Sequence, residues 1–255
     1  MDHLFPCLRA LGLCAGWGAA ALHAQITERP TTVAPGRFLL EMDTLSLTID
    51  RESGQKYTAV GVATTFLTTG LTADWDVQVG AELFLSQKFD VGGLSGRNSG
   101  IGDVYFRTKW RFYEDQASGT AIALLPYVKL PTNTGGVGKK AMEGGLIVPW
   151  QTNLAGGVSL TAMAEVEFVR NDRDNGYDSF WYTSMAIHRA VTKAIGVYGE
   201  LTLGKSTGGA PWAGTLGGGA TFAFSENIWW DYALYRGLSH GASDWLHVLR
   251  LNWRF

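Results

Sequence analysis

Arg107, Lys109 and Arg111 stand at alternate positions within one short stretch. In an extended chain successive side chains point to opposite faces, so all three cations would share one. Such a ladder could line a constriction that selects solutes by charge. It could equally be neutralised by carboxylates in a filled interior, and both readings stay open at this level. The nearest acids are Asp76 and Glu82 on the preceding strand segment, followed by Asp103, Glu143, Glu165, Glu167, Glu200 and Asp231. Arg250 and Arg254 add cations near the C-terminus. We therefore expect Asp103, Arg107, Lys109, Arg111, Glu82, Glu143, Glu165, Glu167, Glu200 and Arg250 to line a lumen and contact a solute.

Catalytic arrangements are thin. Past residue 24 the histidines are His188, His240 and His247. Ser184 and His188 would share a face but lie roughly 13 Å apart along a strand, too far for a hydrogen-bonded dyad. His240 and Ser243 fall in one loop with no acid fixed beside them, and His247 belongs to an apolar face. A lipid-acting enzyme is thus the weakest reading, and we expect no enzyme, no cofactor and no metal. TGGVGKK (134–140) lacks the first glycine and the hydroxyl residue of a phosphate loop. GTLGGG (214–219) lies inside a strand pattern, where glycines permit bending or close packing. With 21 Lys+Arg against 23 Asp+Glu, no nucleic-acid footprint is expected.

The elements that must carry these residues read as strands. In 103–113 Asp103, Tyr105, Arg107, Lys109, Arg111 and Tyr113 alternate with Val104, Phe106, Thr108, Trp110 and Phe112. The same alternation recurs in 75–86, 158–168, 195–203 and 245–255. Turn residues divide the chain into about twelve segments: 37–50, 56–70, 75–87, 100–113, 119–130, 140–150, 154–169, 178–190, 194–204, 212–224, 228–236 and 244–255. Globular strands peak at about five or six residues, whereas roughly 9–11 tilted residues cross a bilayer. The connections alternate between tight turns (TADW, EDQASG, QTN, VTK, SEN) and longer loops (RESGQ, KFDVGGLSGRNS, PTNTGGVGK, RNDRDNGY, KSTGGAP, RGLSHGAS), the habit of outer-membrane barrels. The fold expected is all-β, a transmembrane antiparallel up-and-down β-barrel of about 12 strands over residues 37–255.

Three features place the apolar face outward. Tryptophans concentrate near segment ends, Trp75, Trp110, Trp150, Trp230 and Trp253 towards the short turns and Trp212 and Trp245 towards the loops. The opposite face holds more charge than a small water-excluding core tolerates. The chain also finishes on alternating aromatic and aliphatic residues ending in Phe255, as barrels recognised by the assembly machinery do. Closure should set the last strand beside the first, so Arg250 or Arg254 should pair with Glu41 or Asp43. Two tensions remain. Pro126 and Pro149 cannot donate to a ladder and should sit at bulges or rims. The first segment puts Leu45, Leu47 and Ile49 on the parity of Glu41 and Asp43, with no clean facing.

Residues 1–24 read as an export signal, with Arg9, an apolar core over 10–22 and a cut after Ala24, or after Ala21 because Leu22 is a less suitable residue three positions before the first cut. Cys7 and Cys14 fall within it, so the mature chain should carry no cysteine. Residues 25–36 read as an extended polar periplasmic lead-in. Past residue 24 no apolar run approaches the roughly 20 residues that a spanning helix needs.

At GIGDVYFRTKWRFYED (100–115), followed by YVKLPTNTGG (127–136), the chain resembles a family of small outer-membrane barrels labelled for the meta-pathway of phenol degradation. The similar residues are Gly102, Asp103, Arg107, Lys109 and Arg111, then Lys129, Leu130, Pro131 and Thr132 entering a glycine-rich loop. The resemblance implies uptake of aromatic compounds and carries no catalytic residue. The expectation is an outer-membrane channel for passive passage of small solutes, aromatic or weakly acidic ones included. Its expected partners are a small-molecule solute, outer-membrane lipid and lipopolysaccharide, and the barrel-assembly machinery through Phe255; Lys139 and Lys140 read as a plain solvated loop ahead of a contact with lipopolysaccharide phosphates. A non-conducting structural or interaction barrel is the alternative.

Overall fold

In the computed structural model, residues 25–255 are described apart from 53 and 172. The export signal, its two cysteines and its cleavage point lie outside the described residues. The strands are β1 (Phe38–Glu52), β2 (Gln55–Gly70), β3 (Trp75–Val91), β4 (Leu94–Gly100), β5 (Val104–Asp115), β6 (Thr120–Leu130), β7 (Glu143–Leu154), β8 (Val158–Arg170), β9 (Tyr177–Ala190), β10 (Ile195–Ser206), β11 (Ala213–Ala223), β12 (Ile228–Gly237) and β13 (Trp245–Arg254). Sequential neighbours pair antiparallel, and β13 returns to pair with β1. β3 pairs with β5 along its first half and with β4 along its second, so β4 and β5 form one stave. The sheet is therefore a closed barrel of 12 strands, with β4 paired to β3 alone towards the loop rim.

Facing follows the alternation. Val79, Phe106, Trp110, Trp181, Ile187 and Leu216 are all close to half exposed or more, while Asp76, Arg107, Lys109, Glu165, Glu200 and Arg250 are buried inside. A water-soluble barrel would reverse the two sets. The apolar face is the one a bilayer would cover, and closure carries the backbone ladder around the whole circumference.

The loop rim departs from the sequence reading. KFDVGGLSGRNS is a hairpin rather than a loop: β3 and β4 pair down to Val91 and Leu94, with Gly92 and Gly93 at φ 58 and 83 forming the two-residue turn. Positive φ at both central residues gives the twist that matches the flanking strands. Phe89 lies over its partner Gly96, where a Cβ would come within 2.4 Å of the ring. Aromatic cover of a strand glycine thus makes this glycine-rich stretch competent as strand. At RESGQ, too, pairing runs close to the connection, Glu52 of β1 pairing with Gln55 of β2.

The expected single segment 100–113 breaks between Gly100 and Val104, because Glu82 of β3 occupies the space. A Cβ on Gly102 would lie 2.1 Å from the Glu82 carboxylate, and Glu82 Oε2 accepts the backbone N–H of Asp103 at 2.9 Å. Related irregularities cross the adjoining staves. The β1–β13 register shifts between Asp43 and Leu45, and Ala63 of β2 has φ 56. The shift in β1 settles its facing: Asp43 points inward, Ser46 and Thr48 line the lumen beyond it, and Leu45 is exposed outside.

Neither proline sits at a bulge or rim. Pro126 and Pro149 are mid-strand, and the register does not shift at either. Each instead suspends pairing on one side, β5–β6 lapsing between Arg107–Tyr127 and Trp110–Leu124, and β6–β7 between Ile122–Trp150 and Leu125–Ile147. A missing donor is tolerated because the other side of each strand keeps its ladder.

Candidate functional site: a plugged and charged lumen

The expected lead-in does not stay outside the barrel. From the short-turn rim, where Thr32 Oγ1 donates to the Ala73 carbonyl at 2.7 Å, the chain turns into the lumen. Val33 N–H reaches Asp76 Oδ2 at 3.1 Å, and Glu28 lies between Arg107 and Lys109, with Lys109 Nζ 3.6 Å from Glu28 Oε2. Farther along, Ile26 N–H and Thr27 N–H both donate to Glu200, at 3.1 and 2.5 Å, and Thr27 Oγ1 meets Ser184 Oγ at 2.7 Å. Gln25 and Arg29 close on His188, at 3.2 and 3.1 Å. Ile26, Thr27, Glu28 and Pro30 are buried. The segment therefore crosses from the β3–β5 wall to the β8–β10 wall as a plug. Its physical logic is satisfaction: the inward acids and cations of both walls are costly unless partnered, and the plug supplies both N–H donors and a carboxylate.

This divides the cationic ladder. Arg107 and Lys109 face the lumen and share Glu28. Arg107 also stacks its guanidinium 4.7 Å from the centroid of Phe66. Arg111 is not with them. It lies at the short-turn rim, bonded to Asp74 at 2.6 Å and to Glu114 at 3.2 Å. Arg250 pairs with Asp43 at 2.6 Å across the closing seam, one of the pairings expected from closure. Arg254 instead stacks on Trp229.

The remaining predicted residues stand above the plug, towards the loops. Lys129 pairs with Glu143, which also accepts the N–H of Arg170 at 2.9 Å. Tyr127 donates to Glu165 at 2.7 Å, and Glu167 follows one inward position higher on β8. Glu82 and Asp103 meet at the β4–β5 break, where Asn133 donates to Asp103 Oδ1 from its backbone at 3.1 Å and from Nδ2 at 2.7 Å. These walls enclose a cavity of about 120 Å³ whose lining includes Asp43, Glu82, Asp103, Lys129 and Glu143. Val137 and Lys139, from the loop after β6, also line it. Lys139 and Lys140 turn back onto the carbonyls of Arg170 and Asn133 instead of reaching outward.

Sequence reasoning missed the plug residues Glu28 and Thr27, and Asn133. A signal for the first existed: a lead-in carrying Glu28 precedes a barrel whose cation ladder needs a counter-charge. Asn133 had only its place in the KLPTN stretch. The glycines of 217–219 serve close packing, since a Cβ on Gly217 would collide with Tyr235 and one on Gly219 with Tyr198. Both tyrosines thereby reach inward acids, Tyr198 meeting Asp231 at 3.1 Å and Tyr235 meeting Glu200.

The barrel is similar to an outer membrane channel from Pseudomonas putida F1, with a TM-score of 0.67 and 13% identity over 87% of this chain and 96% of that one. It is also similar to the NanC porin (TM-score 0.53, 9% identity, 84% and 98% covered) and to the monoaromatic hydrocarbon channel CymD (0.50, 8%, 87% and 88%). At these identities the likeness is one of fold. No curated protein matches the sequence. The model of the family described as "Putative MetA-pathway of phenol degradation" matches residues 24–255, and the chain belongs to that family.

Proposed function

We propose that the protein is an outer-membrane channel for passive passage of small solutes, aromatic compounds among them, and not an enzyme. The observation that carries this reading is the lumen itself: a charged bore blocked by a short segment held through side-chain and N–H contacts, with a cavity left above it. Such contacts can exchange for water when the plug moves, whereas a barrel filled by its own wall could not open. The family and the barrel fold support it, and the CymD likeness adds the aromatic class. Ser184 and His188 are both engaged by the plug, which leaves them no catalytic pairing. Membrane lipid and lipopolysaccharide would contact the apolar wall and loop rim. Phe255, exposed and paired backbone-to-backbone with Phe38, would present the chain end to the assembly machinery.

The test is single-channel conductance of the refolded barrel, full-length and lacking residues 25–33. Openings that grow when the segment is removed support a plugged channel. If both forms are silent, the second reading leads, a non-conducting barrel sealed by ion pairs such as Lys129–Glu143 and Arg250–Asp43.

A further inference from the structure

Glu28 is the only acid within residues 25–36, and it seats between the guanidinium of Arg107 and the ammonium of Lys109. All three side chains are buried. A planar fork and a point charge converging on one carboxylate is a recognition geometry for an organic acid. The surroundings of the seat are not polar throughout. The Arg107 guanidinium lies 4.7 Å from the centroid of Phe66, whose ring is 5.9 Å from that of Tyr105. Across the bore, Met163 Sδ accepts the backbone N–H of Glu28 at 3.2 Å. Phe66, Tyr105 and Met163 are each at most 3% exposed. Beside Glu28 the plug buries Ile26 and Pro30. The plug therefore presents a carboxylate flanked by apolar bulk to two cations, an aromatic pair and a thioether. Asp76 lies within electrostatic reach of Lys109, and Glu165 of Arg107, so these two acids are the internal rivals for the cations once the plug moves.

We propose that the plug is a built-in competitor: an organic carboxylate with a compact apolar or aromatic body takes the seat of Glu28 between Arg107 and Lys109 and keeps the plug displaced. The solute carboxylate repeats the contacts of Glu28 with the two cations. Its body fills the space that Ile26 and Pro30 leave, and an aromatic body gains from the Met163 sulfur. A neutral analogue has no charge to offer the clamp, and a cationic one meets two like charges. Solute and Glu28 exclude each other, so the apparent affinity for the solute is reduced to the fraction of molecules in which the plug has left.

The proposal rests on the reading of a channel with a movable plug and names its solute class, but binding is measured without conduction. Calorimetric titration of the full barrel in detergent should compare benzoate, benzyl alcohol and benzylammonium. Benzoate is expected to bind Glu28→Gln at least about ten-fold tighter than the wild type, because the internal competitor is gone, while the other two stay weak on both. Adding Arg107→Gln to Glu28→Gln should abolish that gain. In the wild type, sodium benzoate should speed protease cleavage of residues 25–36 several-fold, and sodium chloride at the same concentration should not. Benzoate that binds Glu28→Gln no tighter than the wild type overturns the proposal, since Asp76 and Glu165 would then have closed on the cations. Cleavage that benzoate leaves unchanged overturns it without recourse to variants, as does equal binding of the alcohol. Openings in a bilayer with no benzoate binding would leave the channel and remove this site. Benzoate binding by a silent barrel would do the reverse.

Discussion

Arg250 of the last strand donates from Nε to Asp43 Oδ1 of the first at 2.7 Å, across 207 positions of sequence. Both are almost fully buried, so the ion pair sits on the seam where the barrel closes. Its energetic weight lies in asymmetry: two buried charges satisfy each other, but one alone is left uncompensated.

Arg250→Met should therefore lower stability by about 3–5 kcal/mol, while the double variant Asp43→Leu with Arg250→Met should recover much of the loss. Heat-modifiable migration on gels reads this directly, as a drop in the temperature at which the folded band disappears. An unchanged temperature in the single variant would remove the seam pair as a stabilising contact.

Glu28→Gln removes the shared counter-charge of Arg107 and Lys109, both of which are less than a tenth exposed at the side chain. Cleavage of residues 25–36 by added protease should speed up, and channel openings should become several-fold more frequent, since a lost partner of a buried pair costs about 3–5 kcal/mol. A plug held by backbone contacts alone would show neither change.

Gly80 lies against the Phe66 ring, where an added Cβ would come within 2.3 Å, and the Arg107 guanidinium lies 4.7 Å from the centroid of the same ring. Gly80→Ala should thus displace Phe66, destabilise the barrel by about 1–3 kcal/mol and disturb the Arg107–Glu28 pair as a secondary effect. The unfolding temperature and the protease accessibility of the plug should move together. Independent behaviour would separate the two.

Asn133 holds Asp103 with two hydrogen bonds and reaches the Lys139 carbonyl at 2.7 Å, tying the loop after β6 to the β4–β5 break. Asn133→Ala should cost about 1–3 kcal/mol, because a buried carboxylate loses a donor, and hydrogen exchange should quicken over residues 131–142. Unaltered exchange there would mean that the loop is held by Thr134 and Ile101 instead, whose contacts at 2.9 and 3.0 Å also cross the break.

How much was legible without coordinates can be traced residue by residue. Period-two alternation fixed which of Phe106 and Arg107 faces outward, because a strand permits only two faces and one of them must meet lipid. Segment bounds came within a few residues for the same reason, turn chemistry interrupting a regular pattern. The pairing of Arg250 with Asp43 followed from closure alone. Local pattern failed where a distant group decided the outcome. The 88–99 stretch reads as a glycine-rich loop until Phe89 is seen over Gly96, and 100–113 reads as one strand until Glu82 is seen against Gly102.

The amino-acid sequence by itself determined the barrel, its inside and its outside, since all three depend on periodicity and on the cost of charge in lipid. The tertiary structure decided what fills the bore. Residues 25–36 carry no periodic signal, and their place inside the lumen rests on Glu28 meeting Arg107 and on Thr27 meeting Glu200, contacts across 79 and 173 positions. Arg111 left the ladder for Asp74 at the rim for the same kind of reason. Backbone alternation assigns a face, but depth in the bore and the choice of partner are set by which groups three-dimensional closure brings within reach.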